Sequence, residues 1–117
     1  MIPSTLQEAF KELDELLGIR EVKFIKESPQ SPMGQYHHFL GMHIRNEWGL
    51  WAQGPLVKYF NIIGIYHADD MSGIILESYW RDKHNLDLDI DGQVKRYRAY
   101  WKKTTGNEIP EGYLTSA

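Results

Sequence analysis

The hydrophobic positions of the chain recur mostly at the spacing of an α-helix, and the first such stretch has a clear beginning and end. Ser4 and Thr5 stand three positions before Gln7 and Glu8, which is the pattern of a capping box. The apolar positions that follow share one helical face: Leu6, Ala9, Phe10, Leu13, Leu16 and Leu17. Gly18 supplies the stop, so a first helix is expected up to that residue.

The next stretch, "REVKFIKESPQSPMGQ", breaks this pattern. It alternates briefly at Val22 and Phe24 and then contains two prolines and a glycine. This composition is typical of a connector that is extended in part. A two-stranded piece around Val22–Ile25 stays an alternative.

Two shorter helices are predicted next. Ser31 and Pro32 fit the entry of a second helix that continues to Asn46, because proline is favoured at the first helical position. Its periodic positions are Tyr36, Phe39, Leu40, His43 and Ile44. A short third helix ends at Gly64 and has Leu56, Tyr59, Phe60 and Ile63 at helical spacing.

Two longer helices complete the pattern. The fourth has His67 or Asp69 as its cap and Asn85 as its stop. Its inward positions are Met71, Ile74, Ile75, Ser78 and Tyr79. The last helix ends at Gly106, carries basic residues toward that end, and places Ile90, Val94, Tyr97 and Trp101 on one face.

These four to five helices with short connections predict an all-α fold. We expect one small irregular bundle that forms a single domain over residues 1–117, with a loosely held tail over 107–117. The length suits one compact core, and the hydrophobic fraction of 42% is too high for a disordered chain.

Composition also narrows the function classes. The chain has no cysteine, which excludes disulfides, thiolate nucleophiles and cysteine-based metal sites. The N-terminal stretch has no secretory pattern, and no apolar run approaches the roughly 18 residues of a membrane helix. We therefore expect a cytoplasmic protein that does not enter a membrane. The net charge of −3 argues against nucleic acid as a partner.

Charge is distributed unevenly in the C-terminal half. Residues 69–92 contain seven acidic and two basic side chains, whereas residues 94–103 contain five basic and no acidic ones. The acid-rich stretch is either a surface for a basic partner or a solvated face with helix caps, and both interpretations stay open.

Metal and catalytic patterns are incomplete. Residues 87–92 match the start of a calcium loop, D-x-D-x-D-G, but the position that requires a bidentate glutamate holds Arg98. Capping of the last helix by Asp89 or Asp91 explains these acids better. The chain also lacks a G-x-S-x-G motif. No catalytic residue, metal site or cofactor is predicted.

The segment "HFLGMHIRNEWGLW", residues 38–51, contains side chains suited either to a core or to a binding site. Tryptophan and arginine dominate binding hot spots, yet tryptophan also fills interiors. We interpret Trp48 and Trp51 as mostly structural. Arg45 is then expected to pair with Glu47 or with the two acids at positions 69 and 70.

Four stretches of the chain resemble an uncharacterised family of short bacterial proteins. They are "IPSTLQEAFKELDELL", "HIRNEWGLW", "PLVKYFNIIGIYHADDMSGIILESYWR" and "QVKRYRAYW". The family pattern is similar to I-P-x-T-L-E-E-A, I-R-N-x-W-G-L-W, L-x-x-Y-F, G-I-x-H-P-D-D-M-S and I-L-x-S-Y-x-R. Ala68 departs from it, because the family usually has proline there. The resemblance implies a single domain and assigns no activity.

The preferred function is a protein-binding module. Most concretely, we expect an immunity or antitoxin-like protein that occludes the active site of a basic partner, such as a toxin nuclease, with an acidic and aromatic surface. The candidate contacts are Glu77, Tyr79, Trp80, Asp82, Asp87, Asp89 and Asp91. The aromatic side chains qualify as anchors only if they are exposed.

The alternative is a small enzyme or a nucleotide- or ligand-binding domain. It uses Arg45, His67, Asp69 and Asp70, with Asn46 beside them. This hypothesis requires that the segment from His67 to Asp70 face Arg45 across a cleft. Otherwise these residues form an internal polar network.

Overall fold

The computed structural model of the protein describes residues 1–106, which are all-α with no strand among them. The helices are α1 (Leu6–Glu27), α2 (Met42–Glu47), α3 (Pro55–Ile62), α4 (Ala68–Lys83) and α5 (Ile90–Thr105). A 3₁₀ turn (Met33–Tyr36) and a π turn (His37–Gly41) lead directly into α2. The predicted fold class, a small irregular helical bundle, is confirmed. The predicted loose tail over 107–117 lies outside the described residues.

Helix α4 lies at the centre of the bundle because apolar side chains cover most of its circumference. It packs against α1, α2, α5 and the two turns that precede α2. Its buried apolar side chains are Met71, Ile74, Ile75, Leu76, Tyr79 and Trp80. Helix α3 adds Leu56, Val57 and Phe60 to the same core.

The predicted caps of α1 and α4 are confirmed. The Glu8 N–H donates to Thr5 Oγ1 at 3.1 Å, and the Ser4 N–H donates to Glu8 Oε1 at 2.8 Å. At the start of α4 the Asp69 N–H donates to His67 Nδ1 at 3.0 Å. Helix α4 ends shortly before Asn85, which has a left-handed φ of 56°. These bonds satisfy N–H groups that a helix start leaves without partners.

Helix α1 bends at Gly18 instead of ending there, so the predicted connector is wrong for residues 20–27, whereas residues 28–32 do connect α1 to the next turn. Gly18 has φ 80° and ψ 172°, after which the helix continues to Glu27. The alternative of a two-stranded piece at Val22–Ile25 is wrong for the same reason. The alternation was misleading because Phe24 is exposed while Ile25, three residues from Val22, is fully buried. That spacing is helical.

Substituting alanine at the bend tests its importance. The φ of Gly18 lies in a region that costs a residue with a Cβ about 1–3 kcal/mol. We expect Gly18→Ala to lower the free energy of unfolding by that amount in urea denaturation followed by circular dichroism. Gly34→Ala is the matched control, because nothing lies within 4 Å of its added Cβ. Equal stability of the two variants would show that the bend is dispensable.

Helix α5 begins differently from the prediction. Asp89 precedes it with a left-handed φ of 53°, and its side chain makes no capping hydrogen bond. Its Oδ2 instead lies 3.5 Å from Arg96 Nη1, while Asp87 Oδ1 accepts the Asp89 N–H at 2.7 Å. The expectation that an aspartate side chain caps this helix is therefore wrong for Asp89.

Candidate functional site

Arg45 is a buried cation held on three sides. Its Nη1 donates to Ser72 Oγ at 2.8 Å and its Nη2 donates to the His37 carbonyl at 3.3 Å. Its Nε lies 3.4 Å from Asp69 Oδ1. Asp69 is thus the predicted partner that the structure confirms. The guanidinium fits here because Gly41 has no side chain, since a Cβ there would lie 2.7 Å from Nη1.

His67 and Asp70 extend this arrangement toward α5. The His67 ring has its centroid 5.7 Å from that of Trp51 and 5.8 Å from that of Trp101. Trp101 Nε1 donates to Asp70 Oδ2 at 2.8 Å. Burial raises the pKa of Asp70, although the hydrogen bond from Trp101 opposes this effect. The network therefore joins α2, α4 and α5.

All four principal residues of the alternative site belong to this network. Arg45, His67 and Asp69 contact one another or the start of α4 through their polar atoms. Asn46 is exposed. Asp70 is the member that also lines a groove. These side chains therefore lie side by side in an internal polar network. The ligand-site hypothesis instead expected the segment from His67 to Asp70 to face Arg45 across a cleft.

A groove of about 870 Å³ runs along α4, between α5 and the turns that precede α2. Its floor is a stripe on α4 made of Asp70, Gly73, Leu76, Glu77 and Arg81. Its walls are Met33, Gly34, His37 and His38 on one side and Gln93, Arg96, Tyr97 and Tyr100 on the other. We call this the α4 groove. Concave sites with convergent polar groups are where small ligands usually bind.

The two aromatic residues predicted as partner anchors are buried. Tyr79 is 0% exposed and its hydroxyl donates to Asp14 Oδ1 at 2.7 Å. Trp80 is 8% exposed and its Nε1 donates to the Ser28 carbonyl at 3.0 Å. Both side chains join α4 to α1, so neither is available to a partner at the surface.

The acidic candidates divide into paired and unpaired carboxylates. Glu77 Oε2 lies 3.4 Å from Arg81 Nε, and Asp89 pairs with Arg96. Asp82, Asp87 and Asp91 are exposed and take part in no ion pair within residues 1–106. We call these three the acidic turn, because Asp82 lies at the end of α4, Asp87 in the connection that follows and Asp91 in the first turn of α5.

The wall that α5 contributes to the groove was not predicted from the sequence. Gln93, Arg96, Tyr97 and Tyr100 are spaced as one helical face, and that signal was available. The predicted apolar face of the same helix, formed by Ile90, Val94, Tyr97 and Trp101, competes with it and shares Tyr97 with the groove wall. The angle at which α5 crosses α4 decides which face of α5 lines the groove. That angle depends on tertiary packing and cannot be seen in the helical pattern.

The chain matches the model of a domain of unknown function (DUF6794) over residues 2–83. These residues include α1 to α4 and leave α5 outside. Curated proteins and solved structures give no match to the chain. Among the described helices, none combines the length and apolar character needed to cross a membrane.

Proposed function

The chain belongs to the DUF6794 family, and from its surface we propose that it is a protein-binding module of the immunity or antitoxin kind. It would occlude the active site of a basic partner such as a toxin nuclease. A cytoplasmic location goes with this proposal, because a chain without cysteine suits a reducing compartment.

The acidic turn is the observation that supports this proposal. Its three carboxylates, Asp82, Asp87 and Asp91, keep their charge facing solvent because no cation within residues 1–106 pairs with them. Like-signed exposed charges attract an oppositely charged surface and can raise its association rate by about 10- to 1,000-fold. Leu86 lies in the same connection with its side chain exposed, and it supplies the apolar contact that Tyr79 and Trp80 do not.

Affinity capture with the tagged chain tests this function. We expect a basic protein to be retained at low salt and lost at high salt, because exposed charges are screened. The variant Asp82→Asn/Asp87→Asn/Asp91→Asn should slow association with the purified partner by about tenfold or more at low salt. Stopped-flow or surface-binding kinetics would measure this rate.

A matched variant controls for net charge. Glu15→Gln/Glu27→Gln/Glu47→Gln removes three exposed carboxylates that lie elsewhere, of which Glu27 has Lys23 at 4.0 Å. It should leave the association rate close to that of the unchanged protein. Co-expression with the partner should also protect cells from its toxicity. A partner that binds both triple variants equally fast, or one that the chain does not neutralise, contradicts the proposal.

A further inference from the structure

Asp70 is a buried carboxylate with one described side-chain donor. It is 9% exposed, lines the α4 groove and belongs to no ion pair within residues 1–106. Its Oδ2 accepts the Trp101 N–H, whereas no described side chain donates to its Oδ1. A carboxylate accepts several hydrogen bonds, so a buried one with a single donor has capacity left for a ligand.

The other charged side chains of the groove already have opposite charges beside them. Glu77 lies against Arg81, and Arg96 lies against Asp89. Asp70 is eleven residues from Arg81 along α4, a separation of about 16 Å. The charge that a ligand meets near Asp70 is therefore negative, and a cationic group complements it.

The surroundings of Asp70 suit an organic cation better than a hydrated metal ion. Tyr97 and Tyr100 line the groove from α5, and aromatic faces attract ammonium groups. The Tyr97 hydroxyl packs against Gly73, whereas Gly34 lines the groove with nothing within 4 Å of the place where its Cβ would be. Gly34 and the apolar Leu76 therefore leave room for an alkyl chain. No group of three or more His, Asp or Glu suited to holding a metal occurs in the described part of the chain.

We propose that the α4 groove binds a primary alkylammonium group of the lysine type, with its N–H donors on Asp70, with Tyr97 and Tyr100 beside the ammonium, and with its carbon chain along Leu76. Such a group comes either from a lysine of a bound protein or from a free amine. The first source rests on the proposed function, because the expected partner is basic. The second source does not depend on it.

Titration of the full chain with N-acetyl-lysine methylamide tests the site. We expect saturable binding by calorimetry, with NMR shifts at Gly73, Tyr97 and Tyr100. The neutral analogue in which a hydroxyl replaces the ammonium should bind at least tenfold more weakly, because hydrogen bonds to charged groups are the stronger ones. Binding of inorganic phosphate in its place, or equal binding of the neutral analogue, would overturn the proposal.

Asp70→Asn separates binding from folding. The amide of the variant keeps an oxygen that accepts the Trp101 N–H. It also removes a charge that burial disfavours, as the raised pKa of Asp70 indicates. The variant is therefore expected to unfold at the same temperature or a higher one at neutral pH, while its affinity for the lysine derivative falls by about tenfold or more. Glu15→Gln, an exposed position on α1 outside the groove, is the control and should bind normally. Retained affinity in Asp70→Asn would refute the assignment of the site.

The source of the ammonium group is decided by measuring how much Asp70→Asn weakens the binding of the lysine derivative and the binding of the captured partner. If Asp70→Asn weakens both the lysine derivative and the captured partner, the groove takes a partner lysine. If it weakens the lysine derivative alone, the groove binds free amines and the acidic turn acts separately. If the lysine derivative does not bind, the groove proposal fails, whatever happens to the partner.

Discussion

Replacing Arg45 with methionine is expected to lower the free energy of unfolding by about 2–4 kcal/mol, because each hydrogen bond of a buried charged group contributes about 1.5–3 kcal/mol and their losses do not add fully. The change leaves the Ser72 hydroxyl and the His37 carbonyl without the donor that they share at 2.8 and 3.3 Å. Asp69 loses the cation at 3.4 Å, but it is half-exposed and water can replace the contact. Urea denaturation followed by circular dichroism measures the effect.

Two further variants make this expectation specific. Arg20→Met alters an exposed arginine and should change the free energy of unfolding by no more than about 0.5 kcal/mol. Gly41→Ala places a Cβ 2.7 Å from the Arg45 Nη1 and should destabilise through the same network. A stability of Arg45→Met equal to that of Arg20→Met would mean that the guanidinium does not hold the bundle, and would return Arg45 to the list of ligand-binding candidates.

The helix patterns predicted the elements because capping and periodicity are local. The cap at Thr5, the cap at His67 and the turn near Asn85 each depend on side chains within a few residues, and all three are found. The failure at residues 19–27 has the opposite cause. Gly18 is a strong local stop, but the helix resumes beyond it and buries Ile25 in the core, which is a tertiary contact that local patterns do not contain.

The candidate site was harder to predict, because helical periodicity and local composition gave opposite predictions for the burial of Tyr79. Helical spacing placed Tyr79 on the inward face of α4, whereas the acids around it suggested a surface anchor. The structure follows the spacing, with the Tyr79 hydroxyl bound to Asp14 and the ring in the core. Burial of a long apolar face outweighs the polarity of its neighbours along the chain.

The α4 groove could not be predicted from the sequence, because its walls come from elements that are distant along the chain. Met33 and Tyr97 face the same space only through the way their segments pack on α4. The sequence does name Asp70, since it lies in the acidic first turn of a capped helix. It cannot show that Trp101 satisfies one oxygen of that carboxylate. Hydrogen bonds between side chains that are distant along the chain become visible only in the folded structure.

The two tryptophans of the segment over residues 38–51 are expected to differ sharply on truncation. Trp48 is 3% exposed, and Trp48→Ala should lower the free energy of unfolding by about 3–5 kcal/mol through the cavity it leaves. Trp51 is 43% exposed and makes an edge contact with His67, so Trp51→Ala should cost about 1 kcal/mol. Equal losses would contradict this division. Unequal ones would make Trp48 structural and leave the exposed face of Trp51 as the part of this segment that a partner can reach.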